Sequence, residues 1–251
     1  MTVKKIILIG GSGILGKYYA KKLSENNQVH VADIGLKKGR SGNSRYNYFL
    51  DIRKEEKIIE FFRSLKKKYG TFDILINNAA FTTEMALKKA KSKKKDYFST
   101  KIWDQTVNTN LKGPFLACKY FIKYHHNKKI DQRVINVGTI YGLHSPHHEI
   151  YDSQNFFSSI SYSSSKAGLV GMTRWLATKY AKEKTSFNLI SPAGVFNNHN
   201  KKFISDYTNM IPKKKMASEK QIYSVIEFLI SKNADYVIGQ NIFVDGGFSA
   251  W

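Results

Sequence analysis

The stretch Val3-Lys4-Lys5-Ile6-Ile7-Leu8-Ile9-Gly10-Gly11-Ser12-Gly13-Ile14-Leu15-Gly16 carries the reading of the fold. Its apolar run is the pattern of a buried strand. It breaks on glycines and hands over to a helical periodicity from about Ile14 to Ser24. Glycines at such a turn let the backbone bend sharply and come close to a bound group. The helix start adds unpaired N–H groups and a partial positive charge. Gly10, Ser12, Gly13, Ile14, Leu15 and Gly16 are therefore candidates for cradling a dinucleotide pyrophosphate, in the register Gly10/Gly13/Gly16 or Gly11/Gly13/Gly16. An ordinary strand-to-helix turn is the competing reading.

Outward from this turn the same alternation continues. Strands are expected at Val29–Asp33, Tyr46–Leu50, Asp73–Asn77, Arg133–Val137, Ser186–Ile190 and Asn241–Val244. Helices are expected near Glu55–Tyr69, Trp103–Tyr124, Tyr162–Ala181 and Glu219–Ser231. Short apolar strands alternating with amphipathic helices predict a doubly wound, Rossmann-type α/β fold, with a mostly parallel sheet and helices on both faces. No linker or repeat divides residues 1–251, so one domain is expected. Asp33 ends the second strand, twenty residues beyond Gly13. A carboxylate there accepts from both adenosine ribose hydroxyls and repels a 2′-phosphate, which favours NAD. Lys37, Lys38 and Arg40 keep NADP open.

Composition sets limits on function. An apolar fraction of 42% and an aromatic fraction of 14% suffice for a core. The single cysteine, Cys118, excludes an internal disulfide. The run Val3–Ile9 is too short for a membrane span and lacks the shape of a secretory signal, so a cytoplasmic protein with no membrane partner is expected. Lys+Arg of 41 against Asp+Glu of 19 gives a net charge of +22. Lysine is spread over the whole chain together with much isoleucine and asparagine, as a biased genome produces, and no nucleic-acid-binding module is recognisable, so no specific nucleic-acid partner is expected. The densest basic run, Lys88–Lys95, reads as a solvated face, with anion binding as the alternative.

Five further segments resemble the short-chain dehydrogenase/reductase family in chain order. Asp51-Ile52 resembles its adenine-binding pair. Asn77-Asn78-Ala79-Ala80 resembles its Asn-Asn-Ala-Gly turn, with alanine for the last glycine. Asn110, within Asn108–Gly113, matches the tetrad asparagine. Pro192-Ala193-Gly194-Val195 resembles the Pro-Gly segment beside the nicotinamide. Val244-Asp245-Gly246-Gly247 matches the carboxyl-terminal signature. The resemblance implies an NAD(P)-dependent oxidoreductase whose cofactor contacts include Asp51, Ile52, Asn78, Ala79, Ala80, Pro192, Gly194 and Val195.

The family's Tyr-x-x-x-Lys spacing occurs at Tyr18/Lys22, Tyr97/Lys101, Tyr124/Lys128, Tyr162/Lys166 and Tyr180/Lys184. Only Tyr162/Lys166 opens an apolar helix downstream of a strand ending in a hydroxyl, Val134-Ile135-Asn136-Val137-Gly138-Thr139. Residues four apart share a helix face, so the Lys166 ammonium stands beside the Tyr162 phenol. That charge, aided by a cationic nicotinamide, is expected to draw the phenol down from its ordinary value of about 10. Tyr162 would then act as general acid in carbonyl reduction or general base in alcohol oxidation. By the resemblance, Lys166 also binds the nicotinamide ribose and Asn110 holds a water linking Lys166 to solvent. Thr139 stands where the family usually has serine, with Ser145, Ser159 and Ser161 as alternatives.

The loop Ile140–Phe157 contains His144, His147, His148 and Glu149, whose spacing fits no established metal pattern, so no metal is expected. Its start resembles family members of bacterial flagellin and surface-sugar biosynthesis, which implies a small-molecule substrate such as a sugar, sugar phosphate or nucleotide sugar. Residues 196–211 are expected to cover the substrate. A homodimer or homotetramer is expected from the helices near Trp103–Tyr124 and Tyr162–Ala181 and from the apolar end Phe248–Trp251. A non-catalytic dinucleotide sensor and a basic nucleic-acid binder on the same fold remain as alternatives.

Overall fold

In the computed structural model, residues 3–90, 96–152 and 157–250 are described. Strand β1 (Lys5–Ile9) leads through the glycine turn into helix α1 (Ile14–Leu23), β2 (Gln28–Asp33), a two-residue β3 (Gly39–Arg40) and β4 (Arg45–Phe49). Helix α2 (Glu55–Tyr69), β5 (Ile74–Asn77), α3 (Thr83–Ala90), α4 (Thr100–Val107) and α5 (Gly113–His125) follow. The chain then forms β6 (Gln132–Val137), α6 (Ile160–Tyr180), β7 (Thr185–Pro192), α7 (Lys201–Asn209), α8 (Glu219–Ile230) and β8 (Asn241–Val244).

The sheet order is β3-β4-β2-β1-β5-β6-β7-β8, parallel throughout except for the β3–β4 edge. Strand β1 shows why both faces are covered. Ile6 and Leu8 pack with Tyr19 and Leu23 of α1 and Ile222 and Ile226 of α8. Ile7 and Ile9 face Phe62 of α2, Phe121 of α5 and Ala177 of α6. A strand buried on both sides must be apolar without alternation, as its sequence is. Helix α2 also matches its dipole, with Glu55 and Glu56 in its first turn and Lys66, Lys67 and Lys68 in its last.

The direction of winding reverses between β1 and β5, which both flank the crevice at their carboxyl ends. This is where an open parallel sheet leaves room for a ligand. Two differences from the sequence reading bear on it. The helix expected over Trp103–Tyr124 is α4 and α5 joined by a π-helical turn at Asn108–Lys112. Pro114 lies at the start of α5 and has no N–H to give to the carbonyl of Asn110, so the regular ladder breaks there. Helix α7 lies inside the stretch expected to cover substrate; its aromatic pair Phe203 and Tyr207 is buried. Residues 91–95 of the basic run, residues 153–156 of the long loop and Trp251 lie outside the described residues.

Candidate active site

The glycine turn sits at the crevice. Gly10 has φ +94, and a Cβ there would lie 2.2 Å from the Ala79 nitrogen, so no other residue fits. Gly16 is equally confined, its Cβ position lying 2.0 Å from the Gly10 carbonyl oxygen. Gly13 is the opposite case: a Cβ would meet nothing within 4 Å, because the turn faces open space. Gly13 caps α1 with no side-chain hydrogen bond, and the first turn has no acidic residue. An uncapped helix start beside an open glycine is a fitting seat for a pyrophosphate. Ser12, Ile14 and Leu15 border the same opening. Asn78 donates to the Gly10 carbonyl at 2.6 Å, which ties the end of β5 to the turn.

Asp33 is held in place by the backbone it serves. Its carboxylate accepts from Ser12 N at 3.0 Å and Gly35 N at 2.8 Å, leaving further lone pairs for ribose hydroxyls. Asp51 is differently engaged. Arg53 donates to both its oxygens, at 2.8 and 2.7 Å, and these bonds hold its carboxyl below the usual range. The Ile52 side chain is buried against Gly113, so its apolar contact is with the core.

Across the crevice, α6 begins at Ser159, whose hydroxyl accepts from Tyr162 N at 3.2 Å and bonds Ser161 at 2.9 Å. Ser145 donates to the Pro146 carbonyl. Thr139 lies in the same cleft as Tyr162, and its hydroxyl is the group that pulls against the upward shift of the phenol. Lys166 is 3% exposed; its Nζ donates to the Val137 carbonyl at 2.7 Å and lies 6.0 Å from the Tyr162 ring centre. Burial brings its pKa down to about 8. The Tyr162 phenol moves opposite to the sequence expectation. Burial raises it, and the Thr139 hydroxyl offsets only part of the rise. Without cofactor the phenol thus holds its proton, the form that serves carbonyl reduction.

Asn110 is fully buried, but its side chain is spent on the backbone of Phe81, accepting from the nitrogen at 2.7 Å and donating to the oxygen at 3.1 Å. It therefore clamps the loop after Ala80, and the water link expected of it would have to use its backbone carbonyl. Beneath α6, Asn77 donates to Asn136 and Asn136 to Thr173, both at 2.9 Å. This buried chain fixes the catalytic helix against β5 and β6, and Asn136 was overlooked in the sequence although it stands three residues before Thr139.

One cleft of about 330 Å³ is lined by Leu15, Asn78, Ala80, Thr139, Tyr162, Lys166, Pro192, Gly194 and Val195 among others, whereas the glycines of the turn, Ser12, Ile14, Asp33, Asp51, Ile52, Ala79 and Asn110 are not part of its lining. Tyr141, Tyr151, Tyr207, His199 and Met216 line it too; His199 and Tyr207 lie within the stretch 196–211 expected to cover substrate, while Tyr141, Tyr151 and Met216 carried no individual role in the sequence reading. The spacing of Phe203 and Tyr207, four apart, was the available signal for α7. His144 and His147 pack edge-on against Phe248. Among the described residues no three metal-ligating side chains converge.

Residues 15–249 match the family profile described as enoyl-(acyl carrier protein) reductase. The chain belongs to the short-chain dehydrogenase/reductase family. It is 32% identical to the 3-oxoacyl-[acyl-carrier-protein] reductase FabG of Buchnera aphidicola subsp. Baizongia pistaciae, over 98% of each chain. It is 26% identical to glucose 1-dehydrogenase 2 of Bacillus subtilis, over 100% of this chain and 96% of that one. A short-chain dehydrogenase of Leptospira borgpetersenii serovar Hardjo-bovis, solved with bound NAD⁺, superposes with a TM-score of 0.88 at 28% identity, covering 99% of this chain and 94% of the other. This short-chain dehydrogenase/reductase is an NAD(P)-dependent oxidoreductase. Among the described residues no helix is long and apolar enough to cross a membrane. The cofactor, when bound, supplies or takes the hydride.

Proposed function

We propose that the protein transfers a hydride between NAD(H) and an uncharged polar ketone or its alcohol, of the sugar or polyol type. Tyr162 is the proton carrier, Lys166 the charge beside it and contact to the nicotinamide ribose, and Thr139 the second hydrogen bond to the reacting oxygen. Asn110 keeps the Phe81 loop in place. The observation that carries this reading is that Tyr162, Thr139 and Lys166 line one cleft together with Leu15 of the helix that follows the glycine turn. Gly10, Ser12, Gly13, Ile14, Leu15 and Gly16 seat the pyrophosphate; Asn78, Ala79, Ala80, Pro192, Gly194 and Val195 border the nicotinamide. Asp33 favours NAD over NADP through repulsion of a 2′-phosphate. Phosphorylated substrates are disfavoured, because Glu84 and Lys166 are the formally charged side chains among the described lining residues. A phosphate there would lack its own cation.

The relatives favour a second reading, reduction of a 3-oxoacyl thioester. One screen separates the two. NADH and NADPH oxidation is followed with keto-sugars, dihydroxyacetone and acetoacetyl-coenzyme A. Turnover of the neutral hydroxyketones with NADH supports the first reading; turnover of the thioester alone replaces it with the second.

A further inference from the structure

The substrate end of the cleft is walled by phenols. Tyr207 of α7 accepts from Gly194 N at 2.5 Å. Tyr141 and Tyr151 share a hydrogen bond at 3.1 Å, and both line the same wall as Tyr207. Three elements meet here: the loop after β6, the helical turn at His148–Tyr151, and α7. Burial pushes all three phenols up, Tyr207 to about 12, so they remain neutral donors and acceptors. Tyr141, Tyr151 and Tyr207 line the same cleft as Tyr162. Ser158 lies in the same wall, is 9% exposed, and its hydroxyl has no hydrogen-bond partner among the described residues.

We infer that the Tyr141–Tyr151 pair, with Tyr207 and Ser158 on the same wall, is a subsite that reads a second, uncharged oxygen on the substrate, a hydroxyl next to the reacting carbonyl. The inference rests on the reading of this cleft as a site of ketone reduction. A phenol accepts and donates at once, so a substrate hydroxyl joins the pair without leaving a member unpaired. A partnerless buried hydroxyl such as that of Ser158 gains a bond from the same ligand. A substrate without the second oxygen leaves these groups unsatisfied, the arrangement by which polar sites reject deoxy analogues. A phosphate or carboxylate is refused because the wall offers it neutral hydroxyls only.

The test uses four probes with NADH: acetone, hydroxyacetone, dihydroxyacetone and dihydroxyacetone phosphate. The wild-type kcat/KM for hydroxyacetone should exceed that for acetone by at least about tenfold, the worth of one hydrogen bond with its unsatisfied partners. Dihydroxyacetone should be preferred to its phosphate. Tyr141→Phe keeps the ring and should shrink the hydroxyacetone/acetone ratio about tenfold, mainly through KM; Ser158→Ala should shrink it less. A wild-type ratio near one, a ratio unmoved in both variants, or preference for the phosphate overturns the subsite. Absence of turnover with all four probes overturns the ketone reading instead. In that event calorimetric binding of dihydroxyacetone to the enzyme–NAD⁺ complex still decides: binding weakened in Tyr141→Phe supports the subsite, and no binding, or equal binding in both proteins, overturns it.

Discussion

Two histidines are buried where the sheet meets α2 and α5, and they should make the protein sensitive to acid. His30 is fully buried in β2, stacks on Tyr46 and Tyr48 at 4.8 and 5.7 Å, and shares the Phe72 ring with His125. Its Nδ1 meets the Tyr48 hydroxyl at 2.9 Å. Burial lowers His30 to about 4, helped by Lys5 and Lys68. Burial and Lys66 bring His125 to about 4 as well, against two backbone carbonyls that oppose the shift. An unfolded histidine titrates near about 6.5. Between these values the unfolded chain binds more protons than the folded one. Stability therefore rises with pH across the window and is lost as pH falls through it. Lowering the pH from 7.5 to 5.0 costs about 2 kcal/mol for each histidine, or about 4 kcal/mol for both. That is a large part of the roughly 5–15 kcal/mol of an ordinary domain. Urea denaturation followed by tryptophan fluorescence at the two pH values measures the difference. His30→Phe keeps an aromatic ring in the cage and should cut the difference to about 2 kcal/mol. An undiminished difference in that variant, or NMR titration of either histidine near 6.5 in the folded protein, would refute the reasoning.

Other consequences are as direct. Gly13→Ala places its methyl in open space; stability should change by no more than about 1 kcal/mol, while the NADH dissociation constant, read by fluorescence, rises at least about tenfold. Because burial holds Lys166 at about 8, ketone reduction should be level well below that pH and fall above it as the ammonium is lost; in Lys166→Arg, which stays charged, the fall should move upward or vanish. The face between α5 and α6 exposes Phe115 at 48% and Trp175 at 64% around an apolar hollow of about 450 Å³. We expect a second copy of the chain to cover it, so light scattering should give at least a dimer for the wild type and a smaller species for Trp175→Lys.

The order of elements was legible because β1 and β5 are apolar runs without alternation and helices such as α2 bury a single stripe, here Ile58, Phe61, Phe62 and Leu65. The glycine turn was legible because two of its places demand glycine, Gly10 at φ +94 against Ala79 and Gly16 against the Gly10 carbonyl. Three features were not. The two-residue β3 is too short to carry a period. The π-turn at Asn108–Lys112 preserves the apolar pattern on both sides, and Pro114 was its only local sign. The titration of Tyr162 depends on burial, which assembles from α6, β6 and α7 and is invisible to the spacing of Tyr162 and Lys166. The same holds for the tyrosine wall, whose members stand at positions 141, 151 and 207 and meet only through the fold.

The proton carrier is the centre of the account, and Tyr162→Phe tests it. The substitution keeps the ring against its neighbours and deletes the phenol oxygen from the cleft it shares with Thr139 and Lys166. With a substrate that the wild type reduces, turnover should fall by at least about 10²-fold, the lower end of what a positioned acid contributes, while NADH binding persists. Tyr124→Phe and Tyr180→Phe, from two of the other Tyr-x-x-x-Lys spacings, should stay within a few-fold of wild type. Near-normal turnover by Tyr162→Phe would contradict the assignment.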